Sequence, residues 1–571
     1  MYLAKLTVKG FRKIDEAALS FRPGLNIIIG ENNAGKTAVI DALRALLATT
    51  EEGSLRLDET DLHLNAEGKR AAEILFRYTF SGLNLDEEAD FAAALKPSTP
   101  AGTYEAQFNI RYTATTNGRL RPKRWCGDHE DNGVSAEMLE DLRAIYLPPL
   151  RDPASGLRPS RSSQLARLLG RLATPNEKDN IVQLVREFEA ELEKQTPVAS
   201  TQKAIDRQQK DMLGDELKQQ LSVGLTAPDF QRIAARLQLE VDSFDVESNG
   251  LGYNNLLYMA VVLSELETNP DAAYRALIIE EPEAHLHPQL QGVLLQFLQS
   301  KEAKEGVAAT VQIFVSSHSP NFASIADVDT LCCVHRTPSG VKAFCPRSVE
   351  FKPTSKKDKL QRYLDVTRAE LFFARRVILV EGAAELFIVD ALARKAGYDL
   401  KRSSVSLLST DGLNFDCFLP LFGDNALNIR VAVISDADPP ADAYPSLTDT
   451  TVLSANAKLL DAGKSAWVQS FFAKKTLEYD FALHEENRAV MISALKDIHP
   501  TIGKALEEKV DAAVDSDKAK ELFRGMFKRD EGTDVQKGRY AQALAAAIND
   551  EEGKVEIPLY IKDALDFVTK A

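Results

Sequence analysis

Five apolar runs in this chain end in residues suited to handling phosphate or a divalent cation. Residues 25–37 read LNIIIGENNAGKT, and Gly30 to Thr37 satisfy G-x-x-x-x-G-K-[ST] in full, with a strand pattern before and a helical pattern after. In such a P-loop Gly30 and Gly35 let the backbone curl. The N–H groups of the loop, which includes Asn32 and Asn33, then face the phosphates of ATP, Lys36 reaches the β- and γ-phosphates, and Thr37 ligates Mg²⁺. A second run, ALIIEEPEAHLHP at 276–288, ends in Glu280 and Glu281. The first carboxylate is placed to hold the Mg²⁺ shell and the second to activate the attacking water. His285 and His287 stand two apart before Pro288 with no third ligand in view, which favours a turn over a metal site. A third run, VQIFVSSH at 311–318, ends at His318, which is placed either to sense a γ-phosphate or simply to cap a strand end.

The remaining chemistry lies in the C-terminal half. VILVEGAAE at 377–385 puts Glu381 at a strand end, with Glu385 four residues on and on the same face of the following helix. VAVISDAD at 431–438 puts Asp436 and Asp438 two apart on one side of an extended segment. Strand C-termini share one edge of a parallel sheet, so all four acids are expected to converge there. Such a cluster requires cations to neutralise it. Mg²⁺ suits oxygen ligands and Mn²⁺ fits as well; two ions about 4 Å apart would activate water and steady a leaving oxygen.

The elements that hold these residues fall into blocks. A chain of 571 residues predicts several domains. Residues 1–159 alternate strands (25–29, 71–80, 104–113, 144–152) with a helix at 38–47, while 82–103 and 114–134 read as turns. Residues 160–225 are long, polar and helical, with Leu165, Leu168, Leu169 and Leu172, then Ile181, Leu184, Val185 and Phe188, at helical spacing. Those stripes would pack on another copy of the chain or cap their own domain. Residues 226–350 resume the first domain. PRSVEFKPTSKKDKL at 346–360 reads as a linker, and 351–571 alternate strand and helix in βαβ order, with helices at 485–530.

Composition narrows the class further. The chain is 44% hydrophobic and 27% charged, and it lacks the run of about 18 apolar residues that a membrane span needs. The five cysteines show no CxxC pair, which suits reduced thiols in a cytoplasmic protein. A net charge of −15 argues against polyanion binding by the whole surface. Local basic stretches remain at Arg119, Arg121, Lys123 and Arg124, at Arg158 and Arg161, and at Lys352, Lys356, Lys357 and Lys359. Each would most simply be solvated surface charge.

The order P-loop, EEPEAHLHP, SSHSP resembles the ATP-binding-cassette heads of SMC- and RecF-like proteins, as does Phe11-Arg12. That resemblance implies that Arg12 approaches the nucleotide. It also implies that a signature loop, here Asn249, Gly250 and Gly252 in NGLG, reaches the γ-phosphate of a second head, although this loop departs from the usual LSGGQ. The pattern of Glu381 followed by Asp436-x-Asp438 at strand ends resembles the Toprim fold. An ATPase head followed by Toprim resembles the OLD (overcoming lysogenisation defect) family of ATP-dependent nucleases. YLPPLRDP (146–153), NGLGYNNLLYMA (249–260), YLDVTRAELFFARRVILVEG (363–382), KTLEYDFAL (475–483), KGRYAQALA (537–545) and IPLYIKDAL (557–565) carry the resemblance over nearly the whole chain.

The OLD resemblance implies a metal-dependent DNA endonuclease regulated by ATP and acting in phage defence. It would work as a homodimer or homotetramer through the 160–225 helices, alone or beside a helicase-like or retron partner. It further implies that Glu478 completes the metal shell and that Lys537 steadies phosphate charge. The rival reading is a RecF-like DNA clamp with a retired Toprim domain; intact Glu381, Asp436 and Asp438 argue against it. A topoisomerase would need a tyrosine-bearing cleavage domain and a bacterial primase a Cys/His zinc cluster, and neither is in the sequence.

Overall fold

The computed structural model of the chain describes residues 1–570 except 48–54, 101, 116, 150–155, 161–162, 218, 222, 224–228, 243, 268–271, 302–310, 338–339, 530–532 and 551–553. Arg161, the end of the YLPPLRDP stretch and the 225/226 boundary lie outside the described residues. Three larger sheets organise the chain. The first is antiparallel, with strands Ile14–Ser20, Tyr2–Phe11, Glu73–Ser81 and Tyr104–Ala114 in that order and Leu95–Pro97 and Leu120–Cys126 both paired to the last. The second carries the nucleotide motifs. Its order is Gly340–Phe344, Leu331–Thr337, Leu25–Ile29, Gln312–Ser317, Tyr274–Glu280 and Leu142–Leu147, parallel except for the first pair. The third is fully parallel: Val405–Ser409, Arg376–Val380, Arg430–Ser435 and Val468–Phe472.

Side-chain alternation along the strands divides the interior into layers. Ile28, Ala276 and Ile278 face a core shared with the antiparallel sheet and the helix Lys36–Leu47. Leu25, Ile27, Ile29, Leu277 and Ile279 face the opposite way, into a second core that does not stop at the domain boundary. It runs on through Phe351, Leu360 and Phe372 to Val377, Leu379, Val431 and Val433 of the third sheet. Ile378, Val380, Ala432 and Ile434 then face a third core under the C-terminal helices. Apolar burial at ~25 cal/mol per Å² thus joins the ATPase sheet directly to the Toprim-type sheet.

Three expectations are revised by this packing. The stretch read as a linker, 346–360, is part of the fold. Ser355–Tyr363 is a helix whose Leu360 is fully buried, and Gln361 accepts a hydrogen bond from the Val328 N–H at 2.8 Å. Its Pro and Lys content suggested exposure, but Lys352, Lys356 and Lys359 pair with Glu350 and Asp416 and Lys357 with Asp329. The stretch read as a turn at 114–134 contains the edge strand Leu120–Cys126, whose Lys123 pairs with Glu130. A short helix, Leu85–Asp90, capped by Asn84, likewise falls in the turn-rich stretch 82–103. Charged side chains and Pro122 are what an unpaired sheet edge carries, which masked the strand in the sequence.

The helical stripes form as expected, in Gln164–Leu172 and Pro175–Glu193. Leu184 and Phe188 are each 64% exposed. Among the described residues no helix is long and apolar enough to cross a membrane.

Candidate functional site

The first candidate site lies at the C-terminal edge of the second sheet. The strand Leu25–Ile29 is entirely buried and delivers Gly30 against the neighbouring strand, where an added Cβ would lie 2.0 Å from the Val334 carbonyl oxygen. Gly30 also has φ of 149°. Gly30→Ala is therefore expected to cost about 3 kcal/mol or more, through clash and backbone strain together, and to abolish nucleotide binding. Thermal unfolding and a nucleotide titration would check this; a variant as stable as wild type would contradict the close approach.

Lys36 is 4% exposed, and its ammonium donates to the Gly30 and Glu31 carbonyls at 2.6 and 2.7 Å. Burial lowers its pKa to about 8, against the pull of Glu281, Glu31 and Glu283. His318 Nε2 lies 3.3 Å from Glu281 Oε1, and burial followed by the Lys36 charge lowers the histidine's pKa. Glu281 has φ of 45°, a left-handed backbone that is rare outside glycine and is held here by its N–H donating to the Ser316 carbonyl at 2.9 Å. The structure thus brings together Lys36, Glu281 and His318, the groups expected to bind phosphate, activate water and sense the γ-phosphate. Thr37, Asn32 and Asn33 are exposed on the same loop.

Arg12 is held between two acids. Its guanidinium is clamped by Asp41 at 2.7 Å and Asp61 at 2.8 Å. Asp41 also holds Arg44 at 2.9 Å, Arg44 stacks 3.8 Å over the Tyr146 ring, and the Tyr146 hydroxyl donates to Glu280 Oε1 at 2.6 Å. A chain of contacts therefore runs from Arg12 to the buried Glu280, whose pKa burial raises. Sequence reasoning missed Tyr146, although a polar aromatic at the end of an apolar strand was the available signal. Tyr146→Phe is expected to slow ATP hydrolysis about tenfold, the loss of one hydrogen bond to a charged group. A phosphate-release assay reads this, and an unchanged rate would remove Tyr146 from the site.

Of the signature residues, Gly252 packs on its own chain, while Gly250 is exposed with open space around it. An added Cβ at Gly252 would lie 2.7 Å from the His285 carbonyl oxygen, and the helix starts at Leu251, earlier than the sequence suggests. His285 has φ of 64°, and the His287 side chain caps the helix Pro288–Ser300, in keeping with turn roles for both.

The second candidate site lies at the C-terminal edge of the third sheet. Glu381 follows Arg376–Val380, and its Oε1 accepts from Ser435 Oγ at 2.6 Å and the Asp436 N–H at 3.1 Å. Asp436 follows Arg430–Ser435, and its Oδ1 accepts from the Leu477 N–H at 3.0 Å. Glu478, 2% exposed, meets Lys537 Nζ at 3.2 Å. Glu385 caps the helix Ala383–Lys395 by accepting from the Gly382 N–H at 2.9 Å. Burial raises the Asp436 pKa well above the carboxylate range, with Glu381 and Glu478 adding to it and Lys537 opposing. Burial also raises Glu385, with help from Glu478 and Glu381. Burial works against the Lys537 ammonium, but Glu478 and Asp436 outweigh it and raise its pKa.

The structure gathers Glu381, Glu385, Asp436, Glu478 and Lys537 into one electrostatic unit. Asp438 is exposed, with φ of 46°, and its charge acts on Lys475. Among the described residues no three acidic, histidine or cysteine side chains stand together in a form ready to hold an ion. Each carboxylate instead spends its oxygens on the contacts above, so ion binding requires rotamer changes. The donor chemistry nevertheless fits a hard divalent cation: oxygen ligands only, four acids, and one lysine in contact. Sequence reasoning missed Ser435, which orients Glu381, although it stands directly before Asp436.

Comparison with known proteins gives two matches to domain families. The profile of the AAA ATPase domain matches residues 1–119 and 151–323. That of the overcoming lysogenization defect protein-like TOPRIM domain matches residues 372–438. The chain is 26% identical over 459 residues to a protein named OLD nuclease from Thermus scotoductus, covering 76% of this chain and 82% of that one. It is 22% identical over 450 residues to Endonuclease GajA from Bacillus cereus, covering 77% and 75%. Among solved structures, the C-terminal region of the Burkholderia pseudomallei OLD protein aligns at 25% identity over 35% of this chain and 98% of that one, with a TM-score of 0.24.

Proposed function

Because the chain belongs to the AAA ATPase domain family and carries an OLD-like Toprim domain behind that ATPase, we propose that it is a divalent-metal-dependent DNA endonuclease regulated by ATP. The coarser reading, an enzyme with a nuclease domain and an ATPase domain, follows from the two families and the nuclease relatives. The observation that carries the finer one is the group of half-buried Glu381, Glu385 and Asp436 and buried Glu478 facing Lys537. Four acids gathered round one lysine destabilise the fold unless their charge does work.

Glu381, Asp436, Glu385, Glu478 and Asp438 are the residues we assign to hold Mg²⁺ or Mn²⁺. When bound, such ions supply a water nucleophile at neutral pH and stabilise charge on the leaving oxygen. Ser435 orients Glu381, and Lys537 offers positive charge to a phosphodiester. In the ATPase, Lys36, Thr37 and the Asn32–Asn33 loop are assigned to ATP and its Mg²⁺, Glu280 to the Mg²⁺ shell, Glu281 to the attacking water and His318 to the γ-phosphate. Arg12 is assigned to approach the nucleotide from its place beside Asp41, and Asn249, Gly250 and Gly252 to contact a second head. The domain division at 1–159, 160–225, 226–350 and 351–571 is retained as a functional one. Phage defence is the setting that the OLD resemblance implies.

The test is supercoiled plasmid incubated with the protein and Mg²⁺ or Mn²⁺, with and without ATP, against a chelator control. Metal-dependent nicking or linearisation is expected; intact plasmid in every lane, with ATP still hydrolysed, would favour the non-nucleolytic clamp.

Self-association through the 160–225 helices is supported by the exposed apolar row Leu184, Phe188 and Leu192 on the helix Pro175–Glu193. Phe188→Asp is expected to shift the sedimenting species from dimer or tetramer to monomer. An unchanged oligomer would place the interface elsewhere.

A further inference from the structure

The P-loop touches the Toprim domain at points that lead straight to its acids. Glu31, the second residue of the P-loop motif, is 15% exposed at its side chain and pairs with Arg375 Nε at 2.6 Å. Arg375 directly precedes the strand Arg376–Val380, which ends at Glu381. The Glu31 carbonyl is also one of the two acceptors of the Lys36 ammonium. A second contact lies beside it. His335 follows Val334, whose carbonyl packs on Gly30, and His335 Nε2 accepts from the Asn428 N–H at 3.3 Å. Asn428 leads into the strand Arg430–Ser435, which ends at Asp436. The ring of His335 is buried, and its Nδ1 has no hydrogen-bond partner. With Nε2 accepting, the ring proton sits on that Nδ1, so the contact is made at the expense of a buried donor.

We propose that the Glu31–Arg375 ion pair, with His335–Asn428 beside it, couples nucleotide at the P-loop to the Toprim carboxylates. Bound phosphates compete with the Gly30 and Glu31 carbonyls for the Lys36 ammonium. Release of the Glu31 carbonyl moves the residue whose carboxylate holds Arg375. The two strands beyond the contacts pair in register, Arg376 with Arg430; residues 376–380 separate Arg375 from Glu381 and residues 429–435 separate Asn428 from Asp436, at roughly 3.3 Å per residue. Their shared core with the ATPase sheet leaves no soft layer between the sites. Coupling of this kind is reciprocal: nucleotide and Toprim metal shift each other's affinity by one factor.

The proposal takes its consequence from the nuclease reading, but its contacts are testable without cleavage. Amide hydrogen exchange of peptides covering 372–381 and 422–430 is measured in wild type, Arg375→Gln and Arg375→Lys, with Mg²⁺ and a non-hydrolysable ATP analogue or with Mg²⁺ alone. Arg375 is 54% exposed at its side chain, so the fold tolerates both changes. In wild type the analogue is expected to change exchange in these peptides by about fivefold or more, the lower end of coupling strengths between sites. That response falls below about twofold in Arg375→Gln and is kept in Arg375→Lys, while ATP hydrolysis is unchanged in both. A wild-type response retained by Arg375→Gln, or no response in wild type, overturns the coupling. Absence of plasmid cleavage with the exchange response intact would instead count against the nuclease assignment alone.

Discussion

Asp436→Asn is expected to lower metal-dependent DNA cleavage by about 10³-fold, the scale seen when one preorganised electrostatic group is removed from a reaction centre. ATP hydrolysis should be unaffected. Asn keeps the shape of the side chain and its hydrogen bond from the Leu477 N–H. What it removes is one negative charge from the group that includes Glu381, Glu385 and Glu478. The effect on stability then separates a working site from a retired one. Without metal the variant should be at least as heat-stable as wild type, because it replaces an acid that burial, Glu381 and Glu478 hold against ionisation. With Mn²⁺ at about 100 times its dissociation constant, wild type should gain about 2.7 kcal/mol and the variant far less. Thermal unfolding with and without Mn²⁺ reads this directly, and an equal gain in both proteins would move the ions away from Asp436.

Lys36→Ala should abolish ATP hydrolysis, by about 10³-fold in rate, since electrostatic stabilisation of the transferring phosphoryl group is the main contribution a protein makes to this reaction. The side chain is already desolvated, with its pKa lowered to about 8, so it meets phosphate charge in a setting where Coulomb attraction is strong. Removing the ammonium leaves the Gly30 and Glu31 carbonyls without their donor. It also leaves Glu281 and Glu283 without a neighbouring positive charge, so a modest loss of heat stability accompanies the loss of hydrolysis. Cleavage without ATP should match wild type, and any effect of ATP on cleavage should vanish. Phosphate release and plasmid cleavage on the same preparation check both parts.

Local signals made the strand-end motifs legible. Leu25–Ile29, Tyr274–Glu280, Arg376–Val380 and Arg430–Ser435 are short apolar runs that end in glycine or acids, and buried parallel strands read that way. The OLD resemblance, drawn from motifs spread over the chain, agrees with the two domain families. What stayed hidden depends on contacts distant in sequence. Tyr146 acts on Glu280 from 134 residues away and Arg375 on Glu31 from 344 residues away, and neither carries a local motif. The stretch 346–360 looked like a linker because its lysines outnumber its apolar residues. Leu360 and Phe351 bind it into the common core, and the lysines find local acids. The clamp that Asp41 and Asp61 form on Arg12 likewise gives no sign of itself in the sequence.

The central claim, two separate chemistries at two strand edges, is tested most directly by measuring plasmid cleavage and ATP hydrolysis together. The comparison is among wild type, Asp436→Asn and Lys36→Ala, with Mg²⁺ or Mn²⁺ present. Asp436→Asn should lose cleavage and keep hydrolysis, while Lys36→Ala should lose hydrolysis and keep ATP-independent cleavage. Wild-type cleavage by Asp436→Asn would contradict that claim.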